Sequence, residues 1–148
     1  MSLKEEIKAQ TTAAMKAGDK TTVGALRMLS AAITNREKEV LHDLSDDEVR
    51  EIAGKEVKKR TESIEAFDGA GRTELAEKER AERSVIAPYA PAQLDQSSVS
   101  ALIDEAITVT GASGPGDMGK VMGYVMGKAK GQVDGTAVQK VVRERLGS

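Results

Sequence analysis

The stretch Gly116–Gly135, GDMGKVMGYVMGKAKGQVDG, carries three overlapping patterns, and the rest of the chain is read outward from them. Taken as a helix from Asp117 to about Ala129, it places Met118, Val121, Met122, Val125, Met126 and Ala129 on a single apolar face. Methionine fills irregular cores well, so this face reads as buried. Gly119, Gly123 and Gly127 form an adjacent stripe at every fourth position. Each glycine costs a helix up to about 1 kcal/mol relative to alanine. The three are therefore expected to be close-approach positions, where a neighbouring helix or a ligand comes near the backbone. Lys120, Tyr124 and Lys128 fall on the remaining side, expected to be exposed. A ring between two cations offers phosphate contacts plus a stacking surface, which single-stranded or looped RNA can use.

The same stretch contains a near-match to a nucleotide site. Gly114–Lys120, GPGDMGK, satisfies the first seven positions of a phosphate-binding loop. The eighth position needs a Ser or Thr hydroxyl for the magnesium ion, and here it is Val121. The loop also needs a buried strand before it, whereas Ile107–Thr110 reads as the tail of a helix. Nucleotide binding is rejected on both grounds.

Composition narrows the remainder. The 148 residues are 39% apolar and 31% charged, and Phe67, Tyr89 and Tyr124 are the whole aromatic inventory. A sheet-rich fold would normally use more aromatic and β-branched side chains, so the expected class is all-α. Cysteine is absent, which removes disulfides, thiolate metal sites and thiol nucleophiles. The single histidine, His42, sits in a polar turn and cannot build a metal site by itself. No metal and no cofactor is expected. The net charge is −2, but from Gly116 onward six Lys/Arg face three acids. The C-terminal segment is thus locally basic, through Lys120, Lys128, Lys130, Lys140, Arg143 and Arg145. No apolar run approaches membrane-spanning length. The start lacks an apolar signal region and carries Glu5 and Glu6, so a cytoplasmic protein is expected.

Helix signals recur in order. Leu3–Ala17 ends at Gly18, and Asp19 caps a second helix carrying Val23, Leu26, Leu29, Ile33 and Val40. Ser45-Asp46-Asp47-Glu48 is a capping box for a third helix, Asp46–Phe67. Thr73 is expected to cap a fourth, Glu74–Ala87, after which Pro88 and Pro91 break the pattern. A boundary near Tyr89–Gln93 divides the chain into two all-helical domains, residues 1–92 and 93–148. The second holds an Asp95-capped helix ending at Gly111, the Gly-stripe helix, a Gly131–Gly135 turn, and a last helix, Thr136–Leu146. On the third helix, Lys55, Lys58, Lys59 and Arg60 interleave with Glu51, Glu56, Glu62 and Glu65, and are read as a solvated face.

Catalytic machinery is not visible. No carboxylate pair stands in an apolar setting in the sequence, no serine has a plausible base, and no catalytic residue is assigned.

The residues also resemble the GatB/YqeY domain family. DMGKVMG at Asp117–Gly123, MGKAKGQVDG at Met126–Gly135, ALRMLSAAI at Ala25–Ile33 and KKRTESIEAF at Lys58–Phe67 carry the resemblance. AGRTELAEKE at Ala70–Glu79 and YAPAQL at Tyr89–Leu94 extend it in the expected order over nearly the whole chain. The resemblance implies a multihelical N-terminal domain, a small three-helix C-terminal domain, and a free-standing protein rather than a fragment. The family's module also forms the tail of the B subunit of the tRNA-dependent amidotransferase, a carbon–nitrogen ligase with glutamine as amido donor. There it contacts the tRNA, while the catalytic sites lie in parts that have no counterpart here. The chain departs from the usual family pattern at Gly127, often Pro, and at Gln132, often Arg; the second change removes a cation.

The reading that follows is a tRNA-binding accessory protein with no amide transfer of its own. Lys120, Tyr124, Lys128, Lys130, Arg143 and Arg145 are its candidate nucleic-acid contacts. The expected partners are tRNA, amidotransferase subunits or another protein. The alternative is an adaptor whose Met/Gly surface receives a partner helix. Independent amide-transfer activity is a third, less supported reading.

Overall fold

Ser2 opens the first helix by accepting the Glu5 N–H at 3.1 Å while the Glu5 carboxylate accepts the Ser2 N–H at 3.3 Å. Two of the amides that a helix start leaves without partners are thereby satisfied. The computed structural model of the chain describes residues 1–147. Among them are seven α-helices, two short 3₁₀ turns and no strand. They are α1 (Leu3–Ala17), α2 (Lys20–Val40), α3 (Asp46–Gly69), α4 (Thr73–Ile86), α5 (Gln96–Thr110), α6 (Met118–Lys128) and α7 (Gly135–Leu146). The protein is all-α, as its composition and periodicity require. The chain divides into two compact units, Met1–Pro91 and a second beginning at Ala92. Among the described residues, no helix is long and apolar enough to cross a membrane.

In the first unit the caps fix the element boundaries. Gly18 takes the left-handed conformation that ends α1 (φ 72°), and Asp19 accepts both the Thr22 N–H and its hydroxyl to start α2. Ser45 and Glu48 form the reciprocal box at the head of α3. The start of α4 differs from expectation: Arg72 holds the cap position without a side-chain bond, and Thr73 is already helical. Ile7, Leu26, Leu29, Ile33, Val49 and Ile86 meet in one core, with Ala25 and Ala53 allowing close helix approach. Each such aliphatic residue, fully buried, contributes roughly 1.5–3 kcal/mol relative to exposure.

Two members of the expected solvated face, Arg60 and Glu56, are not solvated. Arg60 is 3% exposed and lies among α2, α3 and α4. Its guanidinium Nη1 contacts Glu56 Oε2 at 3.0 Å, and Nε stands 3.5 Å from Glu82 Oε2. The Glu82 contact is an ion pair without hydrogen-bond alignment, since Nε has no hydrogen-bond partner. Nη2 points to the Met28 sulfur at 3.5 Å. Charge interleaving along α3 thus describes its lysines but not Arg60 and Glu56, because their angular positions put both on the Val49–Ala53–Ile64 side.

In the second unit, α5, α6 and α7 close around Ile103, Ala106, Val121, Val125, Val138, Val142 and Leu146. Asp95 caps α5 through the Ser98 N–H at 2.7 Å, and Gly111 ends it in the left-handed conformation (φ 69°). The turn after α6 is tied to the segment that opens the unit. Leu94 N–H donates to the Gln132 carbonyl at 2.8 Å, and Gln93 Nε2 to the Gly131 carbonyl at 2.8 Å. Gln132 Nε2 returns a bond to the Ala92 carbonyl at 3.2 Å. Position 132 therefore serves a structural amide rather than a surface cation.

Candidate functional site

α6 is entered through a 3₁₀ turn, Pro115–Asp117, that follows the end of α5 rather than a strand. Val121, the residue that replaces the required hydroxyl, is fully buried in the core. Asp117 gives α6 no side-chain cap; its carboxylate accepts the Ser113 N–H at 3.0 Å and holds the loop instead. That backbone bond, with Lys120 nearby, keeps Asp117 below the usual carboxylate range.

The apolar face is buried along one line only. Val121, Val125 and Ala129 are fully enclosed, whereas Met118, Met122 and Met126 are half-buried along its edge. The expectation that all six form core is corrected accordingly. Val121 and Val125 face inward between α5 and α7, and the methionines lie about 60–140° around the helix from Val121.

Gly119, Gly123 and Gly127 point away from that core and are exposed. A Cβ built on any of them would meet no other described atom within 4 Å outside their own helix. Among the described residues of the second unit, tight packing against a neighbouring helix is therefore not what these glycines serve. They leave a strip of α6 backbone bare to solvent.

Beside that strip stand Lys120, Tyr124 and Lys128 in one row at four-residue spacing. The two lysines are exposed as expected, whereas Tyr124 is half-buried against the core of the second unit. The row is not electrostatically free. Glu105 of α5 accepts from the Tyr124 hydroxyl at 3.0 Å and from Lys128 Nζ at 3.1 Å on the same oxygen, Oε2. Lys128 Nζ also sits 5.2 Å from the Tyr124 ring centroid, within cation–π range. Hydrogen bonds from Lys128 and then Tyr124 hold Glu105 below the usual carboxylate range. Tyr124 and Glu105 together raise Lys128 above the ordinary lysine value. Lys120 Nζ lies 3.6 Å from Asp117 Oδ1.

The other candidate cations do not join this row. Arg145 of α7 is drawn to α5, where it bonds Asp104, the Ser100 hydroxyl and, at 3.4 Å, the Ser100 carbonyl. Arg143 is exposed, and two helical residues from Arg145 correspond to a rotation of roughly 200°. Lys130 is exposed in the turn after α6. Sequence reasoning did not reach Asp104 or Glu105. Their partners are 41 and 23 residues away, and no local motif marks a pairing set by helix packing.

The sequence profile of the family described as Yqey-like protein matches residues 4–146. The chain is similar to "Altered inheritance of mitochondria protein 41, mitochondrial" from Pyrenophora tritici-repentis, with 30% identity over 138 residues, 91% of this chain and 76% of that protein. It is also similar to a glutamyl-tRNA(Gln) amidotransferase subunit from Thermococcus gammatolerans, with 30% identity over 142 residues. That match spans 89% of this chain but 22% of the amidotransferase protein, so the likeness is to one part of a larger polypeptide. With a profile match over nearly its full length, the chain belongs to the Yqey-like protein family.

Proposed function

We propose that this protein is a tRNA-binding accessory module of the kind carried by tRNA-dependent amidotransferases, without amide-transfer chemistry of its own. Residues 93–148 act as its RNA-contacting domain. The observation that carries the reading is the row Lys120–Tyr124–Lys128 beside the bare glycine backbone of α6. A phosphate can approach that backbone closely, the lysines supply charge, and the tyrosine ring supplies a stacking face. Lys130 and Arg143, exposed outside that row, and Arg145, held to Asp104, are secondary candidate contacts. Similarity to one part of an amidotransferase protein supports the tRNA assignment and makes other amidotransferase subunits the protein partners to test first. The compartment proposed is the cytoplasm. A fluorescent fusion distinguishes it from mitochondria, where one relative's name places that relative.

The test is a tRNA titration at several salt concentrations. Two or three phosphate contacts give a log–log slope of roughly −2, so affinity falls on the order of tenfold between 50 and 200 mM salt. Lys120→Ala combined with Lys128→Ala removes most of that slope. No binding at low salt, or binding indifferent to the double substitution, contradicts the reading. A glutaminase and transamidation assay on the isolated protein is expected to be blank.

A second reading is favoured by one observation. Met118, Met122 and Met126 lie half-buried on the opposite border of the glycine strip, as in surfaces that receive a partner helix. Recovery of a stoichiometric protein partner without RNA would select that adaptor over the tRNA module.

A further inference from the structure

α5 contributes two adjacent acids to the neighbourhood of the basic residues, and the two differ in what they hold. Asp104 joins Arg145, which also bonds Ser100 through its hydroxyl and carbonyl. That set ties α5 to α7, and its cation is the more enclosed, with a side-chain exposure of 28%. Asp117, the acid nearest Lys120, receives a backbone N–H from Ser113 and shapes the loop before α6. Glu105 differs from both. Among the described residues its carboxylate accepts from Tyr124 and Lys128, both members of the proposed binding row, and it caps no helix. All three side chains reach solvent, so a ligand can compete for them.

Both donors converge on one carboxylate oxygen, which is the arrangement a phosphate oxygen would also accept. The pair Lys128–Glu105 has no net charge, so while it persists Lys128 cannot neutralise an RNA phosphate or release its counterions. We propose that Glu105 sets the affinity of this surface: its carboxylate occupies Tyr124 and Lys128 in the free protein, and an RNA phosphate must displace it to bind. The inference rests on the tRNA reading above and adds an intramolecular competitor to it. Displacement costs little, because an exposed ion pair is weak, yet it tunes binding within one order of magnitude. It also favours ligands whose phosphates are held by further contacts over isolated anions, which must achieve the same displacement with fewer bonds.

The experiment is a double-substitution cycle on the full chain, Glu105→Gln against Lys128→Ala, read by anisotropy of labelled tRNA at several salt concentrations. Glu105→Gln keeps the side chain's size and an acceptor oxygen. It should tighten binding about threefold to fivefold at low salt and steepen the log–log salt slope by about one. In the Lys128→Ala background the same substitution should gain little. That cycle separates the Lys128-specific effect from the general benefit of removing one negative charge. Binding by Glu105→Gln where the natural chain binds weakly supports the inference most strongly. Natural-chain binding that is unchanged or weakened by Glu105→Gln, or a gain equal in both backgrounds, overturns the inference while leaving the tRNA reading intact. No binding by either protein overturns both. Amide chemical shifts of α5 and α6, compared between the natural chain and Glu105→Gln, report whether the fold is kept, and Glu105→Ala serves as the second variant where it is not.

Discussion

Replacing Arg60 by methionine is expected to destabilise the first unit by about 3 kcal/mol. The substitution keeps an unbranched stem of similar length and deletes the guanidinium. Arg60 is 3% exposed, and its two carboxylate partners, Glu56 and Glu82, have side-chain exposures of 9% and 14%. Removing one partner of a buried ion pair typically costs about 3–5 kcal/mol, because the remaining charge is left without compensation. The lower end applies here, since Lys59 Nζ remains 3.5 Å from Glu56 and reaches water. For a unit of this size each kcal/mol moves the melting midpoint by about 4–8 °C, so a drop of about 12–24 °C is expected. Glu56→Gln and Glu82→Gln added to Arg60→Met should restore stability to within about 1 kcal/mol, because a neutral cluster needs no counter-charge. Urea denaturation followed by far-UV circular dichroism measures all the variants, and hydrogen exchange of the α3 amides assigns the loss to the first unit. A cost below about 1 kcal/mol for Arg60→Met, or a triple variant less stable than the single one, would refute the argument that these charges depend on one another.

Two further outcomes follow from local chemistry. Glu37 accepts from Lys4 Nζ at 2.6 Å and from the Leu44 N–H at 2.9 Å, and these bonds hold it below the ordinary glutamate value of about 4.3. A lowered folded-state pKa gives stability that is present above the unfolded value and lost as pH falls through the folded one. Acid titration of the melting midpoint should therefore show a decline below about pH 4.3 that Glu37→Gln flattens; equal slopes in both proteins would remove Glu37 from the account. Gly123→Ala should stabilise the second unit by up to about 1 kcal/mol, because a Cβ there meets open space and alanine favours the helix. The same substitution should weaken tRNA binding if the bare backbone is a contact surface, so a more stable variant with unchanged affinity would separate the glycines from function.

Most of the helical framework was legible because it is encoded locally. Gly18, Asp19, the Ser45–Glu48 box, Asp95 and Gly111 each act within one turn of their position, and each does in the structure what its residue type favours. Thr73 was misread because a threonine before a charged run resembles a cap, while the short Ala70–Arg72 turn puts Arg72 at that position. Leu41 carries no signal at all. It takes a left-handed conformation at φ 61° and is 88% exposed, in a place where glycine is favoured. The glycine stripe of α6 was visible as a pattern, but its direction was not. Periodicity fixes which residues share a face and leaves open whether that face meets a helix or solvent. Arg60 and Glu105 illustrate the harder limit. Their environments depend on which helices stand opposite, and such pairings between separate helices leave no mark in local spacing.

The central claim is that tRNA meets the exposed face of α6. Amide chemical-shift mapping tests it most directly, since glycine amides are well separated and Gly119, Gly123 and Gly127 lie on the face in question. On addition of tRNA at low salt, those three amides and those of Lys120, Tyr124 and Lys128 should shift or broaden. Gly24 of α2 and Gly69 at the end of α3 should remain in place. Perturbations confined to the first unit, or none at saturating tRNA, would contradict the assignment of α6 as the binding face.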